Sequence, residues 1–136
     1  MYKVEIYENK NGESEIENYI DELKNKYNSS KDSRIKYNKI ISYIRLLREK
    51  GTTLGEPYMK HLQDDIWELR PLRDRILFAY WKEDTFILLS LFMKDTKKTP
   101  PREIERAKSN LQDFLKRSWE QWVIKQVKVG KNLRKS

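Results

Sequence analysis

Apolar positions near the start of the chain first alternate with polar ones and then recur at helical spacing. The alternation over residues 2–8 predicts a half-buried strand. Ser14 and Glu17 form an S-x-x-E capping box, which predicts that a first helix begins there. A second helix is predicted to begin near Ser33 and to end at Gly51. The apolar face of the strand consists of Tyr2, Val4 and Ile6.

After residue 51 the apolar pattern changes to a period of two. The segments DIWELRP, RILFAYW and TFILLSLFM predict three strands, and the short turns PLRD and KEDT suit an antiparallel meander. The third segment is nearly all apolar, as expected of a strand covered on both faces. Thr99 can cap a final helix that has Pro100 in its first turn. The buried stripe of that helix is predicted to be Ile104, Ala107, Leu111, Phe114 and Leu115.

The predicted order of elements is therefore β-α-α-β-β-β-α. Strands grouped after helices indicate an α+β domain, with the helices packed on one face of a small, largely antiparallel sheet. A chain of 136 residues suits one such domain, which we assign to residues 1–118. Residues 119–136 form a basic C-terminal extension. It could dock Trp119 and Trp122 and then fray, or contact RNA as a basic arm, and we favour the first reading. Its cations are Lys125, Lys128, Lys131, Arg134 and Lys135.

Composition narrows the classes of function. The net charge of +8 favours an acidic partner, which could be nucleic acid, an anionic membrane or an acidic protein. The chain has no Cys and one His, which excludes disulfides and thiolate metal sites and leaves too little for a histidine cluster. We therefore expect no metal and no cofactor. Neither a signal peptide nor an apolar run long enough for a membrane span is present, so we expect a cytoplasmic protein without membrane contact.

Cations collect where the predicted strands end. Arg70 ends one strand and Arg75 starts the next, with Arg73 in the turn between them. Lys94 ends the strand after that, so the meander places Arg70, Arg75 and Lys94 at one edge of the sheet. The candidates for contact with an RNA strand, in this turn, in the preceding segment and around the last two strands, are Arg73, Lys60, His61, Lys97, Lys98, Tyr80 and Phe92.

These residue types match metal-independent RNA cleavage. The reaction needs a base for the ribose 2′-OH proton, cations for the charge that builds on the phosphoryl group, and an acid for the leaving oxygen. Arginine is the natural phosphate clamp, and His61 or a desolvated lysine could carry protons. The alternatives are structural. Tyr80 could be a core residue, and Arg70 could pair with an acid, for which the candidates are Glu68, Asp65 and Asp74.

The segments IWELR, RILFAY, ILLSLFMKDTKKTP and EIERA together resemble the phage-derived, HigB-like branch of the RelE/ParE toxin superfamily. The resemblance spans Lys60 to about Arg117. It implies a RelE-like fold of the microbial RNase type and the activity of an mRNA endonuclease that cuts in the ribosomal A site and leaves a cyclic phosphate. It also implies a type II toxin–antitoxin system, in which a HigA-like helix-turn-helix antitoxin silences the toxin. We expect two toxins and two antitoxins in the complex.

The resemblance carries over to individual residues. Arg75 matches the phosphate-binding arginine of the family, Lys94 matches a cation at the end of the last strand, and Arg70 matches a near-constant arginine. Lys60 and His61 lie where some members keep a proton carrier. The pattern departs from the family at Glu68, where some relatives carry a lysine. We therefore predict Arg75, Lys94, His61 and Arg70 as catalytic residues, with the identity of the base open.

Two other functions remain possible on this sequence. A ParE-like toxin would have the same fold and inhibit DNA gyrase without a nuclease site. A basic RNA-binding module would bind without turnover, and each lost cation would weaken its binding in proportion to the phosphates lost. An enzyme differs from both, because the loss of a single residue can abolish turnover while binding persists.

Overall fold

A computed structural model describes the backbone of residues 1–135 and the side chains of residues 1–128. Within this part of the chain there are five strands, three α-helices and a short 3₁₀ turn. In chain order the strands and α-helices are β1 (Lys3–Ile6), α1 (Glu15–Asn25), α2 (Lys31–Lys50), β2 (Met59–Gln63), β3 (Ile66–Leu69), β4 (Asp74–Tyr80), β5 (Thr85–Met93) and α3 (Pro101–Lys135).

The first two helices begin at serine caps. The Ser14 hydroxyl accepts a hydrogen bond from the backbone N–H of Glu17 at 3.2 Å, which confirms the cap of α1. Helix α2 begins at Lys31, slightly before the predicted start, because Ser30 supplies its cap. It ends at the predicted Gly51, whose φ of 60° is a conformation that glycine adopts without strain.

The strands form one mixed sheet in the order β1-β5-β4-β3-β2. Strand β1 pairs with β5 in parallel, and the other neighbours are antiparallel. The predicted α+β class and the meander of β3, β4 and β5 are thus confirmed. The register sets Asp74 opposite Met93 and Arg75 opposite Phe92. The start of β4 therefore lies beside the end of β5, as the meander requires.

The sequence pattern misses β2, so the observed order is β-α-α-β-β-β-β-α. This strand lies at the edge of the sheet, and only Met59 among its five residues is buried. A strand with one buried residue gives almost no alternation of apolar and polar positions. The omission matters for the functional site, because β2 carries Lys60 and His61.

The helices cover both faces of the sheet, so the prediction that they pack on one face is wrong. One buried cluster joins α1 and α2 to the sheet through residues such as Ile16, Ile40 and Phe78. The other lies under α3 and includes Leu77 and Ala107. The nearly all-apolar β5 already indicated two covering layers. The pattern in α3 alone could not say which face it covers.

Helix α3 is uninterrupted from residue 101 to residue 135. Ala107 is buried as predicted, whereas Leu115 is 41% exposed. Trp119 and Trp122 are 61% and 50% exposed, so the expected docking of both rings on the domain is not observed. Since the helix crosses residue 118 without a break, the boundary between domain and extension stays a prediction. The side chains of Lys131, Arg134 and Lys135 lie outside the described residues.

No helix in the described part of the chain is long and apolar enough to cross a membrane.

Candidate active site

Cations from three strand ends and the following loop line one narrow cleft at the start of β4. Arg70 follows β3, Arg75 lies in β4, and Lys94 follows β5. The structure thus brings together the three residues that the meander was expected to place at one edge. We call this feature the cationic cleft, and its lining residues are Glu68, Arg70, Arg75, Phe92, Lys94, Thr96, Lys97, Lys98 and Thr99.

The cavity within the cationic cleft is small. Its volume is about 10 Å³, which is room for roughly one water molecule. The cavity has no room for a nucleotide, and the exposed Lys97 and Lys98 lie at its mouth.

A buried carboxylate organises the cleft. Glu68 is 1% exposed and lies in β3. Its Oε1 accepts a hydrogen bond from Arg70 Nε at 3.1 Å and lies 3.8 Å from Arg75 Nε. Its Oε2 accepts from the Thr99 hydroxyl at 2.5 Å. Both oxygens are thus engaged, and Glu68 joins two arginines to the loop before α3.

The Arg75 guanidinium is held by backbone as well as by Glu68. Its Nη1 donates to the carbonyl oxygens of Leu72 at 2.7 Å and Asp74 at 2.8 Å. Burial lowers the pKa of Arg75, and the Glu68 carboxylate opposes that shift. Arginine remains charged under such shifts, so the result is a fixed cation with little rotational freedom.

Arg73 supports the cleft without lining it. Its Nη2 donates to the carbonyl oxygen of Lys94 at 3.0 Å, and its own carbonyl accepts from the backbone N–H of Lys94 at 2.8 Å. The residue expected to touch RNA is thus tied to the end of β5. The exposed Arg73 side chain thus fixes the backbone of Lys94, the residue whose ammonium group lines the cleft.

The lone histidine lies on the opposite face of the sheet. In the register, Lys60 pairs with Glu68 and His61 pairs with Trp67. Successive side chains of a strand point to opposite faces, so Lys60 faces the cleft side and His61 does not. The His61 ring packs 5.2 Å from the Trp67 ring, and its Nε2 lies 2.7 Å from the carbonyl oxygen of Asp64. The sheet therefore separates the imidazole from the cationic cleft.

Tyr80 is also remote from the cleft. It lies at the other end of β4, five residues and about 17 Å from Arg75. Its hydroxyl accepts from the backbone N–H of Asp84 at 3.1 Å, and the residue is 50% exposed. It is therefore not a core residue either. Phe92, which faces Arg75 in the register, is the aromatic side chain at the cleft.

Residues 18–112 match the model of the family described as phage-derived protein Gp49-like (DUF891). The chain belongs to this Gp49-like family. The matched range contains the whole cationic cleft. The expected relation to phage-derived proteins is thus confirmed at the level of the family, whereas the HigB assignment stays a prediction. No curated protein matches the chain.

The sequence did not single out Glu68 or Thr99 as organisers of the Gp49-like cleft. Glu68 appeared as a departure from the pattern and as one of three possible partners for Arg70. The structure selects it from those three. The sequence did contain a signal. Glu68 lies two residues after the inward-facing Ile66, so the same alternation places this charged residue on the inward face of the strand. Thr99 was expected to cap α3, but its hydroxyl donates to Glu68 instead.

A second buried carboxylate lies beside Arg75 on the other face of the sheet. Asp74 is 2% exposed, and both of its oxygens accept from the Tyr19 hydroxyl at 3.0 Å. Burial raises the pKa of Asp74, and the hydrogen bond from Tyr19 opposes that shift. The pKa of Tyr19 is raised, first by burial and then by the nearby charge of Asp74. Helix α1 is thus linked to the start of β4.

Proposed function

We propose that this Gp49-like protein is the toxin of a type II toxin–antitoxin system and acts as a ribosome-dependent, metal-independent mRNA endonuclease. The observation that carries the proposal is the convergence of five cations on one cleft around the buried Glu68. Cations held at a single point suit a reaction in which negative charge builds up on one phosphoryl group in the transition state, because they stabilise that charge. A surface that only binds RNA needs no such convergence, since phosphates along a strand are spread out.

The proposed reaction is attack of a ribose 2′-oxygen on the adjacent phosphorus. The bond from phosphorus to the 5′-oxygen breaks, which gives a 2′,3′-cyclic phosphate and a free 5′-hydroxyl. Arg75 is the main phosphate clamp, because its guanidinium is already oriented and cannot lose its charge. Lys94, Lys97 and Lys98 add charge at the mouth of the cleft. Arg70, whose Nε binds Glu68, serves mainly to hold that carboxylate in place.

Proton transfer is assigned to lysine rather than to the histidine. His61 is on the far face of the sheet, whereas Lys60 and Lys94 lie on the side of the cleft. Glu68 is a poor base here because its oxygens already accept from Arg70 and Thr99. Of the two lysines, Lys94 lines the cleft directly and is the first choice for the acid, whose ammonium group donates a proton to the leaving 5′-oxygen.

The proposed partners follow from the same assignment. They are mRNA on the ribosome and a HigA-like helix-turn-helix antitoxin in a heterotetramer of two toxins and two antitoxins, all in the cytoplasm. The antitoxin would cover the cationic cleft with an acidic or amphipathic element, because that cleft is the basic site to be silenced.

The test is induced expression in a bacterial host, with growth and mRNA 5′ ends measured together. Wild type should arrest growth and create new ends within coding sequences. Arg75→Ala and Lys94→Ala should remove both effects. His61→Ala should keep both, since its ring is outside the cleft. Arg102→Ala is the matched control, because that side chain is 77% exposed and outside the cleft.

Two outcomes would redirect the assignment. Growth arrest with intact mRNA would exclude the nuclease and favour the ParE-like inhibitor of gyrase, to be tested with supercoiling assays. RNA binding without arrest or new ends would favour a basic binding module.

A further inference from the structure

A second surface with the features of a nucleic-acid site lies at the opposite end of β4. We call it the aromatic groove and define it by Trp81, Lys82, Phe114, Arg117, Trp122 and Lys125. Its volume is about 340 Å³, which is within the range of small-molecule pockets. Trp81 is six residues from Arg75, or about 20 Å along the strand. The aromatic groove is therefore separate from the cationic cleft.

Aromatic rings form the walls of the groove. The Trp81 ring meets Phe114 edge-on with centroids 5.0 Å apart, which fixes one wall against α3. Trp122 forms the other wall, and Trp119 stacks on it with centroids 5.1 Å apart and an interplanar angle of 20°. Each of these two indoles covers one face of the other, and both rings remain at least half exposed to solvent.

Lysines surround these rings. Lys82 Nζ lies 4.8 Å from the centre of the Trp81 ring, and Lys125 lines the groove next to Trp122. Within residues 1–128, neither lysine has a carboxylate at salt-bridge distance. Arg117 is paired with Asp113 at 2.8 Å and contributes less net charge, and Glu5 is the acid of the groove. Lys128 lies one turn further along α3.

We propose that the aromatic groove binds an unpaired RNA strand, with bases stacked on the indole faces and phosphates held by Lys82 and Lys125. Exposed aromatic faces interleaved with cations are what sequence-independent binding of single strands requires. A second copy of the chain is disfavoured as an occupant, because its lysines would face those of the first. An acidic protein would satisfy the lysines but has no equivalent use for flat, stacked indoles.

The proposal is tested by fluorescence anisotropy with a labelled 2′-O-methyl oligouridine of about 12 nucleotides, a length near the usual single-strand site size. This strand lacks the nucleophile for cleavage, so the result does not depend on whether the protein is a nuclease. Trp122→Ala should weaken binding about five- to hundredfold. Ile124→Ala is the matched control, because Ile124 is 54% exposed against 50% for Trp122 and lies outside the groove.

Two further variants separate stacking from charge. Trp122→Phe should keep most of the affinity, because it keeps a ring face. Lys125→Ala should lower the slope of log Kd against log salt by about 0.7, the value for one phosphate contact on a single strand. Both positions are exposed, and circular dichroism checks that each variant folds.

Three results would overturn the proposal. In the first, Trp122→Ala binds the strand as well as Ile124→Ala does. In the second, Arg75→Ala alone removes all binding, which would place the strand in the cationic cleft. In the third, Trp122→Ala weakens binding of an acidic antitoxin while RNA binding is unchanged, which would make the groove a protein interface. A duplex RNA of equal length should bind independently of Trp122, since its bases are already stacked.

Discussion

The cationic cleft and the aromatic groove lie at opposite ends of β4 and use charge differently. In the cleft, a fully buried carboxylate lies 3.1 Å and 3.8 Å from the Nε atoms of two arginines, beside a cavity of about 10 Å³. In the groove, the exposed Lys82 and Lys125 stand beside the exposed Trp122 and the half-buried Trp81, around a space of about 340 Å³. The charged groups of the cleft are held in position before any ligand binds, whereas the groove offers an open surface for contact with a ligand. Fixed charge suits catalysis, and open stacking surface suits affinity.

The acidic residues of the two sites, Glu68 in the cleft and Glu5 in the groove, differ in the same way. Glu68 in the cleft cannot be removed without leaving cations in a poorly solvated position. Glu5 in the groove is exposed and lies among exposed lysines. The difference in burial therefore predicts a difference in the energetic cost of substitution.

The largest expected effect is on stability at the cleft. Glu68→Ala should lower the free energy of unfolding by about 3 kcal/mol, because it leaves Arg75 buried without its carboxylate. Glu5→Ala is the matched change in the groove and should leave the urea midpoint almost unaltered. Equal midpoints for the two variants would show that the cleft is no more organised than the groove.

The next effect is on turnover. Arg75→Lys keeps the charge but loses the planar fork and its two backbone hydrogen bonds, so single-turnover cleavage on translating ribosomes should slow about 100-fold. Binding of the oligouridine at the groove should not change. Arg102→Lys serves as the control at an exposed position. A slowing caused equally by Trp122→Ala would mean that the two sites are not functionally separate.

A smaller effect is expected at the Tyr19–Asp74 contact beneath the cleft. Tyr19→Phe removes the hydrogen bond to a buried carboxylate and should cost about 2 kcal/mol at neutral pH. Because burial raises the pKa of Asp74, the folded protein binds this proton more tightly than the unfolded chain does. The stability that Asp74 contributes is therefore present below its ordinary pKa of 3.8 and is lost as pH rises through the folded pKa.

Tyr19 opposes that loss by stabilising the ionised carboxylate. The cost of Tyr19→Phe should accordingly shrink to about 1 kcal/mol at pH values below the ordinary pKa of Asp74. Urea unfolding at both pH values measures the difference. Tyr27→Phe is the control, since the Tyr27 hydroxyl accepts from the exposed Asn38 and should give the same small change at each pH. A cost of Tyr19→Phe that is independent of pH would contradict the role of Asp74.

The smallest effect is expected in the groove. Lys82→Ala removes a cation from the Trp81 face at an exposed site and should lower the free energy of unfolding by about 0.5 kcal/mol. Lys82→Arg should restore it, because arginine also stacks on indole. A loss comparable to that of Glu68→Ala would end the distinction between an organised cleft and an open groove.

Local sequence signals predicted much of the fold. The Ser14 cap, the glycine at the end of α2 and the meander of β3, β4 and β5 each depend on residues close in sequence. The meander also brought Arg70, Arg75 and Lys94 together, because antiparallel neighbours fix which strand ends meet. These are the parts of the cleft that follow from connectivity alone.

The rest of the site depended on which face of the sheet each side chain points to, and the pattern of apolar and polar residues did not determine that. Without β2 in the predicted sheet, Lys60 and His61 appeared equally close to the arginines, and only the observed register separates them. The role of Glu68 required knowing that its strand buries it under the loop at Thr99. The aromatic groove was not predicted, because it forms where α3 extends beyond the sheet that it covers. The sequence pattern did not indicate how far the helix continues.

Helix α3 has 35 residues and a length of about 52 Å, whereas β5, with nine residues the longest strand, spans only about 30 Å. Residues 119–128 of α3 are helical and mostly exposed, and a short helical segment without tertiary packing is only marginally stable. Amide hydrogens of residues 119–128 should therefore exchange with solvent through local opening, far faster than those of β4 and β5. The outer turns of α3 and the sheet therefore differ in local stability. A ligand held in the groove would slow exchange in these turns and leave the sheet as it was.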